Sequence, residues 1–172
     1  ERALTRYISS QSPSQYLRID LSKRLDVDLL GNMERLPFPD QSIDIIIANH
    51  VLEHVGNLQK SLSELQRVLS ANGIAILQTP FSSSLEGTFQ DAGVSSPEQR
   101  RELYGQEDHV RLFGRDIASV ICAAGFKSQV VEHDVVLRDT DSNRLGVNKR
   151  EPLLMFRKAT RQSITATCNP DL

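Results

Sequence analysis

Cysteine is scarce in this chain, with two in 172 residues. Cys122 lies in an apolar helical pattern and Cys168 in a polar tail, so the spacing offers no disulfide framework, and a reducing cytosol is the default compartment. Charge of one sign is not in excess either. Twenty Lys and Arg stand against 22 Asp and Glu, for a formal net charge of −2 and a pI near 6.1. Nothing in that balance attracts nucleic acid or an anionic membrane. Apolar runs stop at four or five residues, far short of the roughly 20 that a membrane helix needs. The opening ERALTRYISSQSPS has no apolar stretch of the secretory kind. Glycine is missing from the start, the first being Gly31, and no internal repeat is visible.

What is present is ordinary for a globular chain: 39% hydrophobic and 24% charged residues, enough for one domain with a core over residues 1–160. The polar stretch 161–172 reads as a disordered tail.

Residues 2–9 suit a short helix. QYLRIDL (15–21) and DVDLL (26–30) suit short strands, the first ending in Asp20. LPFPD (36–40), with two prolines, is a rigid turn. SIDIIIA (42–48) is a continuous β-branched run without period two, as expected of a strand buried on both faces. Leu58, Leu62, Leu65 and Leu69 repeat at helical spacing, with Asn57 as N-cap and Gly73 past the end. GIAILQTP (73–80) is another apolar strand, stopped by Pro80. Segment 81–96 is irregular. SPEQ then supplies a cap at Ser96, a first-turn proline at Pro97 and a returning Gln99. Ile117, Val120, Ile121 and Ala124 predict a helix closed by Gly125, and 126–136 and 151–158 predict the last strands. Strands alternate with helices, which implies an α/β fold with a mainly parallel sheet. The closing strand pair lacks a full helix between its members, which places an antiparallel strand near that edge.

The segment IIIANHVLEHVGN (45–57) poses the functional question. His50, Glu53 and His54 spell H-x-x-E-H, a zinc-peptidase pattern. Zinc requires both histidines on one helix face plus a third ligand. A β-branched strand runs up to the motif and Gly56-Asn57 follows it, leaving one short turn. The expectation is therefore no metal, with a zinc hydrolase as the minor alternative. The competing reading is the lip of a parallel sheet, where ligands sit at the carboxyl ends of strands. Either histidine could equally serve packing alone.

The longer run MERLPFPDQSIDIIIANHVLEHVGNLQKSLSELQRVLSANGIAILQTP resembles the S-adenosylmethionine-dependent methyltransferases of the type-11 kind. Leu36, Pro37, Phe38, Asp40, Asp44, Leu52, Glu53, His54, Arg67, Val68, Leu69, Gly73 and Pro80 carry the resemblance. GQEDHVRLFGRD (105–116) and AAGF (123–126) look like one subgroup of that family. The resemblance implies a Rossmann-like fold, S-adenosylmethionine as cofactor, and a small-molecule or sugar-like methyl acceptor. Residue by residue it implies Asp20 at the ribose hydroxyls, Asn32 at the adenine amino group, Met33 against the ring, and Asn49 and His50 on the methionine side. An amide stands at Asn32 where many relatives have a carboxylate, and it can accept the same bond without charge assistance.

Methyl transfer from a sulfonium needs alignment and exclusion of water, and a base only if the acceptor must lose a proton. His109 is the first candidate base, with His54 and Asp108 behind it. Segment 81–113 would cover the acceptor.

The resemblance has one gap. The family's first strand and glycine-rich loop should lie about twenty residues before the ribose carboxylate, by analogy with dinucleotide folds. That point falls at or before Glu1, so the expectation is a chain cut inside the donor site. The alternative function is a methyltransferase fold that is truncated or degenerate and does not turn over.

Overall fold

The computed structural model describes residues 2–23, 26–132, 135, 142–145, 148 and 151–159. The tail expected at 161–172 lies outside them. The elements, in order, are α1 (Arg2–Ser10), β1 (Ile19–Asp20), β2 (Leu29–Leu30), β3 (Ile43–Ile47), α2 (Leu58–Val68), β4 (Leu69–Ile76), α3 (Pro97–Tyr104), α4 (Ile117–Ala123), β5 (Phe126–Ser128), α5 (Ser142–Leu145) and β6 (Met155–Lys158). No helix among the described residues is long and apolar enough to cross a membrane.

The strands form two sheets, β1-β2 and β3-β4-β6-β5. β1 and β2 are parallel, as are β3 and β4. β6 runs antiparallel to both β4 and β5, which is the antiparallel strand the sequence implies. The core lies where α2 and α4 meet the four-stranded sheet, with Leu62, Leu65, Leu77, Ile121 and Phe156 at 0–2% exposure. The fold is α/β, as expected.

Local chemistry explains the boundaries. Asn57 caps α2 by accepting from the Lys60 amide, and the buried stripe of α2 is Ser61, Leu62, Leu65 and Val68. Ser96 and Gln99 form the reciprocal capping box at α3, with Pro97 in its first turn. The turn after α4 needs φ +93° at Gly125, a conformation that penalises residues with a Cβ.

Three expectations are corrected. The isoleucine run is not buried on both faces: β3 is the terminal strand of its sheet, and Ile45 is 61% exposed. Gly73 does not stop α2. The chain passes straight from Val68 into β4, and Gly73 lies inside that strand, where a Cβ would sit 2.6 Å from Leu69 Cδ1. The last expected strand from 126 is short, ending at Ser128.

The proline-bearing turn 36–40 is tied to α2 by Arg67. Its guanidinium donates to the carbonyls of Leu36 (3.1 Å) and Phe38 (2.8 Å) and to Asp40 Oδ1 (2.7 Å). It also donates to both oxygens of Glu64, at 2.8 and 2.9 Å, and Glu64 accepts the Leu36 amide. Hydrogen bonding from Arg67 is the main reason the Glu64 carboxyl is held down at about 2. A depressed carboxyl stabilises the fold above its unfolded pKa of 4.5, and that stability is lost as pH falls towards about 2. Glu64→Gln is therefore expected to cost about 1–2 kcal/mol at pH 7. In urea melts the gap to wild type should narrow steadily below pH 4.5. A gap that stays constant with pH would remove the ion pair from the explanation.

Candidate functional site

The β3 ladder continues past its last residue. Ala48 donates to Ile76 O and His50 to Gln78 O, at 2.8 and 2.7 Å. At His50 the backbone turns left-handed, with φ +54°, and residues 51–56 run as turns rather than helix. The helical platform that H-x-x-E-H would need for zinc is thus absent. The residues of the motif differ in burial. The His50 side chain is 64% exposed, whereas Leu52 and Glu53 point inward at 0% and 2%.

Glu53 is the centre of a polar cluster. Thr79, near the end of β4, donates through Oγ1 to Glu53 Oε2 at 2.7 Å. Glu53 Oε1 lies 3.5 Å from His50 Nδ1 and 3.9 Å from His54 Nε2. His54 Nδ1 is 3.3 Å from Asp108 O and 3.4 Å from Asp108 Oδ2. His109 is 5% exposed and packs edge-on against the His54 ring, centroids 4.8 Å apart. Its Nδ1 is 3.0 Å from the Tyr104 carbonyl. A carbonyl only accepts, so Nδ1 is the donor in this contact. The fold therefore brings His54, Asp108 and His109, named separately as candidate bases, into contact.

Two segments far apart in sequence are stitched at this point. Val110 donates to Glu53 O at 3.0 Å. Arg111, 1% exposed, donates to the carbonyls of Leu52 and Gly56 and to Gln90 Oε1. Burial lowers the pKa of Arg111, and the Glu53 charge works against that shift. Segment 81–113 is tied to itself, Phe81 bridging Phe113 and Phe89 bridging Leu112.

The other sequence-expected residues lie at strand ends. Asp20 closes β1, half-buried, and its Oδ1 accepts from Ser22 N at 2.9 Å and Ser22 Oγ at 3.1 Å. Arg18 and Asp28 clamp β1 to the approach of β2, and the Arg18 hydrogen bonds hold the Asp28 carboxyl at about 2. Asn32 follows β2, exposed, with Oδ1 accepting from Glu34 N at 2.8 Å. Met33 is half-buried against the core. Asn49, exposed, follows β3 beside His50. Asp20 and Asn32 thus belong to the two-stranded sheet, Asn49 and His50 to the four-stranded one. Glu34, which accepts the Asn57 amide at 2.9 Å, links the Asn32 turn to the end of the loop after β3.

Thr79 and Arg111 are missed by the sequence reading. The signal for Thr79 was its place beside Pro80 at the end of an apolar strand. For Arg111 it was a charge inside the otherwise apolar run VRLF.

A half-buried carboxylate and exposed amides at parallel strand ends can hold a diol and an amine. The histidine–carboxylate cluster can take a proton or ligate a cation. Comparisons with known proteins bear on which chemistry applies. Residues 3–77 match the family described as a methyltransferase domain. A malonyl-[acyl-carrier protein] O-methyltransferase from Yersinia pestis is 38% identical over 65 residues, covering 38% of this chain and 23% of that one. The chain spans well under half the length of the curated relatives it matches first, 23–39%. Two solved structures share the fold at a TM-score of 0.55 and 14% identity. One is an S-adenosylmethionine-dependent methyltransferase from Mesorhizobium loti, with 90% of this chain and 85% of that chain covered. The other is a Burkholderia thailandensis 1,6-didemethyltoxoflavin-N1-methyltransferase holding S-adenosylhomocysteine, with 91% and 66% covered. Residues 3–77 thus resemble a methyltransferase domain, and the chain shares its fold with solved S-adenosylmethionine-dependent methyltransferases.

Proposed function

We propose that the chain binds S-adenosylmethionine along the carboxyl ends of β1, β2 and β3 and promotes methyl transfer to a small-molecule or sugar-like acceptor beneath residues 81–113. The observation that carries this reading is positional. Asp20, Asn32–Met33 and Asn49–His50 each stand where a parallel strand ends, the place at which open α/β sheets bind ligands. The residues fit the donor chemically. Asp20 offers a carboxylate, held in orientation by Ser22, to a pair of ribose hydroxyls. Asn32 has a second lone pair on Oδ1 for an adenine amino group. Met33 offers a polarisable apolar surface to a ring.

When bound, S-adenosylmethionine supplies an electrophilic methyl group, already activated on its sulfonium. The chain's own residues then have two tasks. The segment carrying Phe81, Phe89 and Tyr104 excludes water. His54, 33% exposed and oriented by Asp108, stands at the opening of the cluster, with buried His109 behind it. If the acceptor is a hydroxyl, its proton goes to this pair.

A second reading, donor binding without turnover, is favoured by one observation: the donor-side residues are divided between two separate sheets. Calorimetry with S-adenosylhomocysteine tests the shared part of both readings. The wild-type protein should bind, and Asp20→Ala should bind roughly ten- to a hundredfold more weakly, the equivalent of one charge-assisted hydrogen bond. Equal affinity in a folded Asp20→Ala protein removes the ribose assignment. No binding by the folded wild type removes the donor site itself. Methylation of any member of a panel of sugars and small hydroxyl compounds then separates turnover from binding alone.

A further inference from the structure

We propose that Glu53, His54 and His109 form a binding site for one divalent transition cation, with zinc as the ion of reference. The sequence reading considers zinc only on a helical His50/His54 pair and finds no platform for it. The fold assembles a different set, because His109 arrives from the other side of the chain and replaces His50. One ligand atom from each of the three residues lies within 4.8 Å of the others, and two of the residues are buried.

The orientation of these side chains is what favours a cation over simple packing. Each group is held from behind by a different partner. Thr79 Oγ1 holds Glu53 through Oε2, Tyr104 O holds His109 through Nδ1, and Asp108 holds His54 through Nδ1. Glu53 Oε1 faces His54 Nε2 at 3.9 Å and His50 Nδ1 at 3.5 Å, and a ligand nitrogen of His109 lies within 4.8 Å of the Glu53 and His54 ligand atoms. Outer partners of this kind, a carbonyl or carboxylate on the far imidazole nitrogen and a hydroxyl on the far carboxylate oxygen, orient metal ligands and raise their basicity. With neutral imidazoles, the three ligand atoms carry lone pairs and one negative charge and have no donor among themselves. A cation replaces that mutual repulsion with three bonds. The His54 Nε2 to Glu53 Oε1 separation of 3.9 Å would close by about half an ångström to meet zinc bonds of 2.0–2.2 Å in a tetrahedral arrangement.

Two nitrogens and one oxygen suit zinc, and also iron(II), cobalt and nickel. Three protein ligands would leave one position of a tetrahedral ion open. An oxygen ligand would fill it: water, or the hydroxyl or carbonyl of an acceptor. The inference stands on the cluster alone and does not depend on the methyltransferase reading.

The test is titration of the metal-stripped protein with zinc chloride, followed by calorimetry and by elemental analysis after dialysis. The expected result is one zinc per chain for wild type. His109→Ala and His54→Ala should each weaken binding at least tenfold, and His50→Ala should retain stoichiometric zinc. Glu53→Gln keeps the hydrogen bond to Thr79 and the shape of the side chain, so it tests the ligand charge in a protein that keeps its fold; it should lose affinity similarly. Wild-type zinc at background, or stoichiometric zinc that survives both His109→Ala and Glu53→Gln, overturns the site. Binding lost in His50→Ala and kept in His109→Ala would return the ligands to the H-x-x-E-H set.

Discussion

Replacing His109 with alanine is expected to lower turnover by about 10²–10⁴, the usual worth of a positioned acid–base group. Donor affinity should be nearly unchanged, because Asp20, Asn32 and Asn49, the residues proposed to hold the donor, lie on other segments. The loss follows whether the cluster takes a proton or holds a cation. In one case His109 supports the His54 ring from 4.8 Å, and in the other it is a ligand. Chelation separates the two. A base survives treatment with a metal chelator, and a cation-dependent activity does not. The measurement uses whichever acceptor the wild-type protein methylates. Equal turnover in a folded His109→Ala protein would confine this histidine to packing.

The largest stability effect should come from Arg111. Its guanidinium is 1% exposed and satisfies the Leu52 and Gly56 carbonyls, with Glu53 as the nearby opposite charge. Arg111→Met keeps most of the volume but leaves two carbonyls and a 2% exposed carboxylate without their cation. Breaking a buried charge arrangement from one side costs about 3–5 kcal/mol, a large share of a domain's total of about 5–15 kcal/mol. Arg111→Lys should recover little, because a single ammonium cannot reproduce a planar fork that spans Leu52, Gly56 and Gln90. Urea unfolding of the three proteins decides it. A loss below about 1 kcal/mol in Arg111→Met would mean that water reaches these carbonyls.

Much of the frame was legible because its causes are local. Asn57 and the Ser96–Gln99 box announce helix starts through bonds that span three residues. Gly125 announces an end by tolerating a positive φ. The strand-end position of Asp20, Asn49 and His50 also follows from short patterns. The errors arise where the cause is distant. Whether Ile45 is buried depends on what lies beside β3, which no property of the isoleucine run reports. Gly73 reads as a stop signal because glycine has two uses, and only the approach of Leu69 shows which one applies. His109, His54 and Asp108 are each legible as a candidate base from their chemistry, but their meeting is not. Nor are the inward turn of Glu53 and its bond to Thr79, because they depend on the left-handed backbone at His50 and on the neighbouring strand.

The join between residues 52–56 and 108–111 has a kinetic meaning as well. Bringing His109 to Glu53 closes a loop of more than fifty residues, and closure of that kind must precede the contacts that reward it. The helix caps, which span three residues, need no such closure and can form early, and the Arg67 tie to the 36–40 turn closes a shorter loop. The His54–His109 pair is therefore among the last features to assemble and among the first to be lost in a partial opening. Any ligand that touches both sides of the join binds the closed chain alone. Its concentration then sets how often the join opens, and amide exchange at Val110, whose N–H is bonded to Glu53 O, is the local clock of that opening.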